Sequence, residues 1–111
     1  MSLPAAADAV VCGPLWVSPG EMCETRIRGQ PVALSLPNQR ILARLIMAAG
    51  RVVSREELYR EVSSRPLERR SRAIDLHIWR IRRALGPLGR FLVTVPGRGY
   101  RIDAFGLAEA Q

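Results

Sequence analysis

The sequence predicts an α+β domain in which an antiparallel sheet precedes three helices and a β-hairpin closes the chain. Three observations predict it. Polar and apolar residues alternate near both ends of the chain, the signature of half-buried strands. Between those ends, three stretches place apolar residues at helical spacing, each bounded by capping or breaking residues. The closing alternation is interrupted by Pro96-Gly97-Arg98-Gly99, a turn with a basic tip. At 111 residues the chain suffices for one core and is too short for two domains.

Residues 1–9 are Ala-rich, lack a capping residue and read as a flexible tail. Val10 to Val17 is apolar and β-rich, with Gly13-Pro14 in its middle. Ser18-Pro19-Gly20 is a turn signal. Met22 to Arg28 then alternates, with Cys23, Thr25 and Ile27 on one side. A second turn, Arg28-Gly29-Gln30-Pro31, leads into Val32-Ala33-Leu34. The result is a three-strand meander with one face packed on helices.

Ser35 is the expected N-cap of the first helix, with Pro37 tolerated in its first turn. Ile41, Leu42, Leu45, Ile46 and Ala49 form its apolar stripe, and Gly50 is expected at C′. Ser54-Arg55-Glu56-Glu57 reads as a capping box opening a second helix that runs to about Ser63 and buries Val53, Leu58 and Val62. Ser64 to Arg70 reads as a solvated loop. The third helix begins near Ser71 or Arg72 and stops at Leu85, before Gly86-Pro87. Ile74, Ile78, Ile81 and Leu85 fall within about 60° of arc and are the buried seam. The opposite face holds Arg72, Leu76, Trp79, Arg80 and Arg83. Phe91 to Val95 and Tyr100 to Ile102 are the arms of the last hairpin. Two short helices joined by a loop and followed by a basic hairpin compose a helix-turn-helix with a wing. The domain is expected to span 10–104, with 105–111 a C-terminal tail.

The 17 basic residues are all Arg, and the net charge is +7. Arg without Lys suits planar, bidentate recognition of phosphate or guanine. Genome composition would give the same bias, but it does not place the residues. Residues 65–101 hold ten Arg against Glu68 and Asp75, whereas residues 1–64 are close to neutral. The charge belongs to the loop, third helix and wing, which points to an anionic partner. One His, no Lys and no carboxylate pair in a plausible cleft leave no acid–base constellation, so an enzyme is not expected. No metal or cofactor is expected either. Cys12 and Cys23 do not make a disulfide framework. In a hairpin turning at 18–20, Cys23 would face Trp16, so the pair reads as reduced, half-buried thiols of a cytoplasmic protein. No apolar run approaches a membrane span of about 20 residues, and no basic segment opens the chain as a signal peptide.

Three segments together resemble a known family: Gly50-Arg51-Val52-Val53-Ser54-Arg55-Glu56-Glu57-Leu58, the helix Arg72 to Leu85, and Thr94-Val95-Pro96-Gly97-Arg98-Gly99-Tyr100-Arg101. They are similar, in that order and at those separations, to the winged helix-turn-helix effector domain of OmpR/PhoB-type response regulators. The resemblance covers roughly residues 10–103. It implies a four-stranded sheet, three helices and a C-terminal hairpin, which places the fourth strand at or beside Arg51 to Val53. It also implies that helix 72–85 enters the major groove of DNA. Arg80 then reads a base edge and Leu76 touches thymine methyls. Arg72, His77, Arg82 and Thr94 match family contacts to the DNA backbone; Trp79 and Arg83, on the same exposed face, are expected at the backbone too, and Arg98, two residues past the usual wing Arg, is expected to serve the minor groove. The loop of Arg65, Glu68, Arg69 and Arg70 matches a polymerase-contacting loop.

The chain departs from the family at Trp79, often an Arg, and at Pro96, where many members put the wing Arg. It departs also at Gln39, usually aromatic, and at Val62-Ser63-Ser64, which lacks a common Trp-Gly. These 111 residues hold no receiver domain, so the resemblance is to an orphan regulator or an excised effector.

Several residues carry two readings. Leu76 and Trp79 suit DNA contact, or packing against the wing or a partner protein. His77 is a phosphate contact or a satisfied edge histidine. Asp75 reads as structural, suiting the helix dipole and orienting Arg72, and Tyr100 as a core anchor of the wing. The functional expectation is a bacterial, cytoplasmic, nucleoid-associated, sequence-specific regulator that binds double-stranded DNA as a dimer or in tandem. The alternative is a winged helix that docks on RNA polymerase or another regulator through Leu76, Trp79 and the 63–70 loop.

Overall fold

The structure, a computed structural model, describes residues 9–20 and 23–110. The tail expected at 1–9 therefore lies, residue 9 excepted, outside the described residues, as does Met22 of the expected second strand. Four antiparallel strands come first: β1 (Val10–Cys12), β2 (Leu15–Ser18), β3 (Glu24–Ile27) and β4 (Gln30–Val32), paired in sequence order. Val10 faces Val17, Trp16 faces Arg26 and Thr25 faces Val32.

The Val10 to Val17 run is thus two strands, not one. Gly13, at φ 55°, turns the chain within it, and a Cβ there would overlap the Leu107 carbonyl oxygen. The fourth strand comes from this split and not from Arg51 to Val53, although Val53 makes an isolated bridge to Tyr100. Because Trp16 faces Arg26, it does not face Cys23. Both cysteines are free. Cys12 is half-buried and Cys23 is exposed, which corrects the expectation for Cys23. Burial, with Asp103 nearby, pushes the Cys12 thiol pKa up.

Helix α1 (Leu36–Met47) starts where expected, with the Ser35 hydroxyl accepting from the Asn38 N–H at 3.4 Å. It ends differently: Ala48 is the C-cap and Ala49, not Gly50, takes the first left-handed position at φ 51°. Gln39, where the family resemblance expects an aromatic, is buried in α1. Its amide donates to the carbonyls of Cys23 and Leu34, both at 3.0 Å, which ties the sheet to the helix.

Helix α2 (Arg55–Tyr59) is shorter than expected, and the chain then runs through turns in which Val62 and Ser63 N–H groups both bond Tyr59 O. The capping box is half realised. Ser54 Oγ accepts from Glu57 N at 3.1 Å, but the Glu57 carboxylate is engaged by the Ser54 hydroxyl and by Arg44 Nη2. Leu58 and Val53 are buried, Val62 only partly.

Helix α3 (Ala73–Leu85) carries the predicted seam, with Ile74, Ile78, Ile81 and Leu85 all buried. Gly86 stops it at φ 59°, and a 3₁₀ helix (Gly86–Phe91) takes up the residue that was expected to open the next strand. The hairpin β5 (Leu92–Val95) and β6 (Gly99–Ile102) follows, with Val95 facing Gly99. The seam, Ile41, Leu42 and Leu45 of α1, Leu15 and Val17 of β2, Leu58, Leu92 and Ile102 form one core.

The expected C-terminal tail is instead a helix, α4 (Ala104–Glu109), capped by Asp103, whose carboxylate accepts from Gly106 N at 2.9 Å. Leu107 is fully buried and joins the core, so the folded domain extends past 104. The physical reason is local. Asp103 supplies the cap, and Gly13 leaves room for the last turn.

Candidate nucleic-acid interface

Burying the Ile74-Ile78-Ile81-Leu85 seam turns the opposite side of α3 outward. On it Leu76 is 47% and Trp79 54% exposed, with Arg72, Arg80 and Arg83 exposed around them. Trp79 does not fold back onto the core. Its ring carries the Arg83 guanidinium at 5.0 Å, a stacked pair on the surface. Among the described residues no side chain hydrogen-bonds or ion-pairs with Arg80, so its five donors face outward.

The flank of α3 nearest the wing is held by Asp75. Its Oδ1 accepts from Arg55 Nε at 2.9 Å and from the Tyr100 hydroxyl, and Arg72 Nη1 lies 3.8 Å from Oδ2. Burial alone would raise the Asp75 pKa. The Tyr100 and Arg55 hydrogen bonds and both Arg charges outweigh it and hold the carboxyl below the usual carboxylate range. The expected link to Arg72 is thus present but loose. The strong partners, Arg55 of α2 and Tyr100 of β6, lie 20 and 25 residues away, beyond the reach of local pattern. Tyr100, 4% exposed, anchors the wing as expected.

Arg82 and Thr94 meet each other. Arg82 donates through Nε and Nη2 to Leu92 O at 3.0 and 2.7 Å, and through Nη2 to Thr94 Oγ1 at 2.8 Å. Arg82 is therefore a strut from α3 to β5. Because the Thr94 oxygen accepts, its own proton stays available, and Thr94 is exposed. Between the strands, Pro96 and Gly97 (φ 75°) form a type II turn closed by Arg98 N to Val95 O at 3.0 Å. It leaves the Arg98 side chain exposed at the tip.

His77 joins α3 to α1. Its Nδ1 lies 2.7 Å from Asn38 Oδ1, an acceptor that requires a donor. Burial, then the nearby Arg80 charge, lowers its pKa, so the ring is neutral near pH 7. The geometry makes His77 a tie between α3 and α1. In the loop before α3, Arg65, Glu68, Arg69 and Arg70 are all exposed. Behind it a cleft of about 340 Å³ is lined by Glu56, Tyr59, Arg60, Ser64, Arg65, Pro66 and Leu67.

A helix pair joined by a loop, with an exposed second helix strutted to a short hairpin, defines a winged helix-turn-helix domain. The chain belongs to the family described as "Transcriptional regulatory protein, C terminal", whose model matches residues 29–102. It is 36% identical over 84 residues to the transcriptional regulatory protein CseB of Streptomyces avermitilis, covering 76% of this chain and 35% of that protein. It is 33% identical over 76 residues to QseB of Haemophilus influenzae, covering 68% and 34%. The chain thus spans about a third of the length of these relatives. Among solved structures, the DNA-binding domain of CpxR from E. coli is similar at 34% identity and TM-score 0.76, covering 86% of this chain and 95% of that one. The AdeR DNA-binding domain, solved in complex with an intercistronic region, is similar at 26% identity and TM-score 0.70, covering 83% and 95%.

Proposed function

We propose that this domain is a sequence-specific, double-stranded DNA-binding transcription regulator. In this reading α3 lies in the major groove and the 96–99 wing near the flanking minor groove. One observation carries it: the face of α3 turned away from the core holds Leu76, Trp79, Arg80 and Arg83, exposed and beside a wing fixed to the same helix. Arg80 reads a base edge and Leu76 an apolar one. Arg72, Trp79, Arg83 and Thr94 face the backbone, with Arg82 holding Thr94 in place and Arg98 reaching the minor groove. His77, hydrogen-bonded to Asn38, stands on the backbone side of the same helix.

A single winged module buries little DNA surface, on the order of 600–1,000 Å², so dimeric or tandem binding to repeated half-sites follows. The setting is the bacterial cytoplasm, at the nucleoid. Among the described residues no helix is long and apolar enough to cross a membrane. A second reading, docking on RNA polymerase or another regulator, is favoured by one feature, the cleft between Tyr59 and Leu67.

The test begins with selection of bound fragments from a random duplex pool. A gel shift with the selected site and a scrambled duplex then gives a specificity ratio. Arg80→Ala is expected to lower specific affinity by about 1–3 kcal/mol while leaving scrambled-duplex binding nearly unchanged. Equal loss on both duplexes rejects base readout. No duplex preference, with stable capture of polymerase, favours the second reading.

A further inference from the structure

The Arg-rich loop ahead of α3 has no role in the α3–wing contact described above. Its tip is the turn Glu68-Arg69-Arg70-Ser71, closed by Ser71 N to Glu68 O at 3.0 Å, which sets Arg69 and Arg70 at the two corners. Both are exposed, as is Arg65 on the other limb. Among the described residues, no carboxylate pairs with any of the three. Like charges on neighbouring residues repel, and a partner of opposite charge relieves that cost. Only Arg72 separates the turn from α3, so its charge leads into the exposed Arg face of the helix. The apolar groups of the loop, Pro66 and Leu67, line the cleft against α2.

We infer that the 68–71 turn is a second DNA-contact surface, in which Arg69 and Arg70 engage the phosphates of the duplex next to the site read by α3. This rests on the reading of α3 as a DNA-binding helix. Phosphate contacts release counterions and carry no sequence information, so the turn adds affinity and salt dependence without changing the preferred site. Two contacts contribute about 1.8 to the slope of log affinity against log salt.

The test uses the 111-residue chain and a fluorescein-labelled 30-base-pair duplex of random sequence, with anisotropy read from 50 to 200 mM NaCl. The control for net charge is Arg28→Gln with Arg40→Gln, two exposed positions on the sheet turn and α1. Arg69→Gln with Arg70→Gln is expected to flatten the slope by about 1.8, whereas the control leaves it nearly unchanged. Over that fourfold salt range the loop variant then loses about twelvefold less affinity than the wild type. A slope change equal to the control overturns the proposal. So does an unchanged slope accompanied by loss of polymerase capture, which makes the turn a protein contact. Far-ultraviolet circular dichroism and melting confirm that both variants fold. If the wild-type chain itself shows no salt-dependent binding, the DNA reading of α3 fails, a separate result.

Discussion

Replacing Asp75 by Ala removes the acceptor that joins α2, α3 and β6. Two donors converge on Oδ1, Arg55 Nε at 2.9 Å and the Tyr100 hydroxyl. A hydrogen bond to a charged group contributes about 1.5–3 kcal/mol when buried. The Arg55–Asp75 side chains are 34% and 25% exposed, so solvent screening reduces that pair to about 0.5–1 kcal/mol. Tyr100 is 4% exposed, and stranding its hydroxyl costs about 1.5–2 kcal/mol. The variant is therefore expected to lose about 2–3 kcal/mol in urea unfolding, a fall in Tm of about 10 °C.

Asp75 also sits in the first turn of α3, where any carboxylate gains about 0.3–1 kcal/mol from the helix dipole. A double-mutant cycle with Tyr100→Phe removes that contribution and isolates the contact. Coupling of about 1 kcal/mol or more is expected; additivity within about 0.3 kcal/mol refutes the hub. The pH dependence gives a second check. The folded pKa of Asp75 lies below its unfolded value near 4, so its contribution is complete above about pH 4 and is lost as pH falls through the folded pKa. Acid unfolding should be correspondingly shallower in Asp75→Ala.

Three further outcomes are expected. The His77 pKa is lowered on folding by burial and Arg80, so wild-type stability should fall as pH drops below about 6.5. Urea midpoints at pH 5 and 7.5 should show that fall vanish in His77→Gln, and an identical pH slope in both proteins removes His77 as its source. Trp79→Arg should steepen the salt slope of duplex binding by about 0.9, since an Arg there adds a phosphate contact that an indole does not make. An unchanged slope places residue 79 away from the backbone. Ending the chain at Asp103 should cost about 2–4 kcal/mol through loss of buried Leu107. Unaltered urea stability would return 105–111 to the status of a tail.

What could be read from sequence follows the range of the interaction. The α3 seam was legible because Ile74, Ile78, Ile81 and Leu85 repeat within one helix, and orienting that helix also fixed its exposed face. Ser35 and Ser54 were legible because a cap acts over three residues. Elements that hang on one residue's backbone conformation are not legible in the pattern. Gly13 divides an apolar run into two strands, and Ala49 occupies a left-handed position that glycine normally takes. Side-chain partnerships across the core were not legible at all. Arg82, a charge on a helix by sequence, is held by Leu92 and Thr94, and His77 by Asn38, 39 positions away.

Those hidden partnerships determine how helix and wing act together. Arg82 ties the end of α3 to β5, and Asp75 ties its start to β6 through Tyr100. Behind them, Val53 and Tyr100 exchange backbone hydrogen bonds at 2.8 and 3.0 Å. Gly99, at φ 140°, permits this, because a Cβ there would overlap the Val53 carbonyl oxygen. The wing is thus fastened at three points, two of them on α3 itself. A hairpin of four-residue strands would be marginal alone. Fastened in this way, helix and wing present Arg80 and Arg98 at a set separation. In the proposed reading a duplex would meet both without the domain first having to order its wing, and that preorganisation would lower the entropic cost of binding.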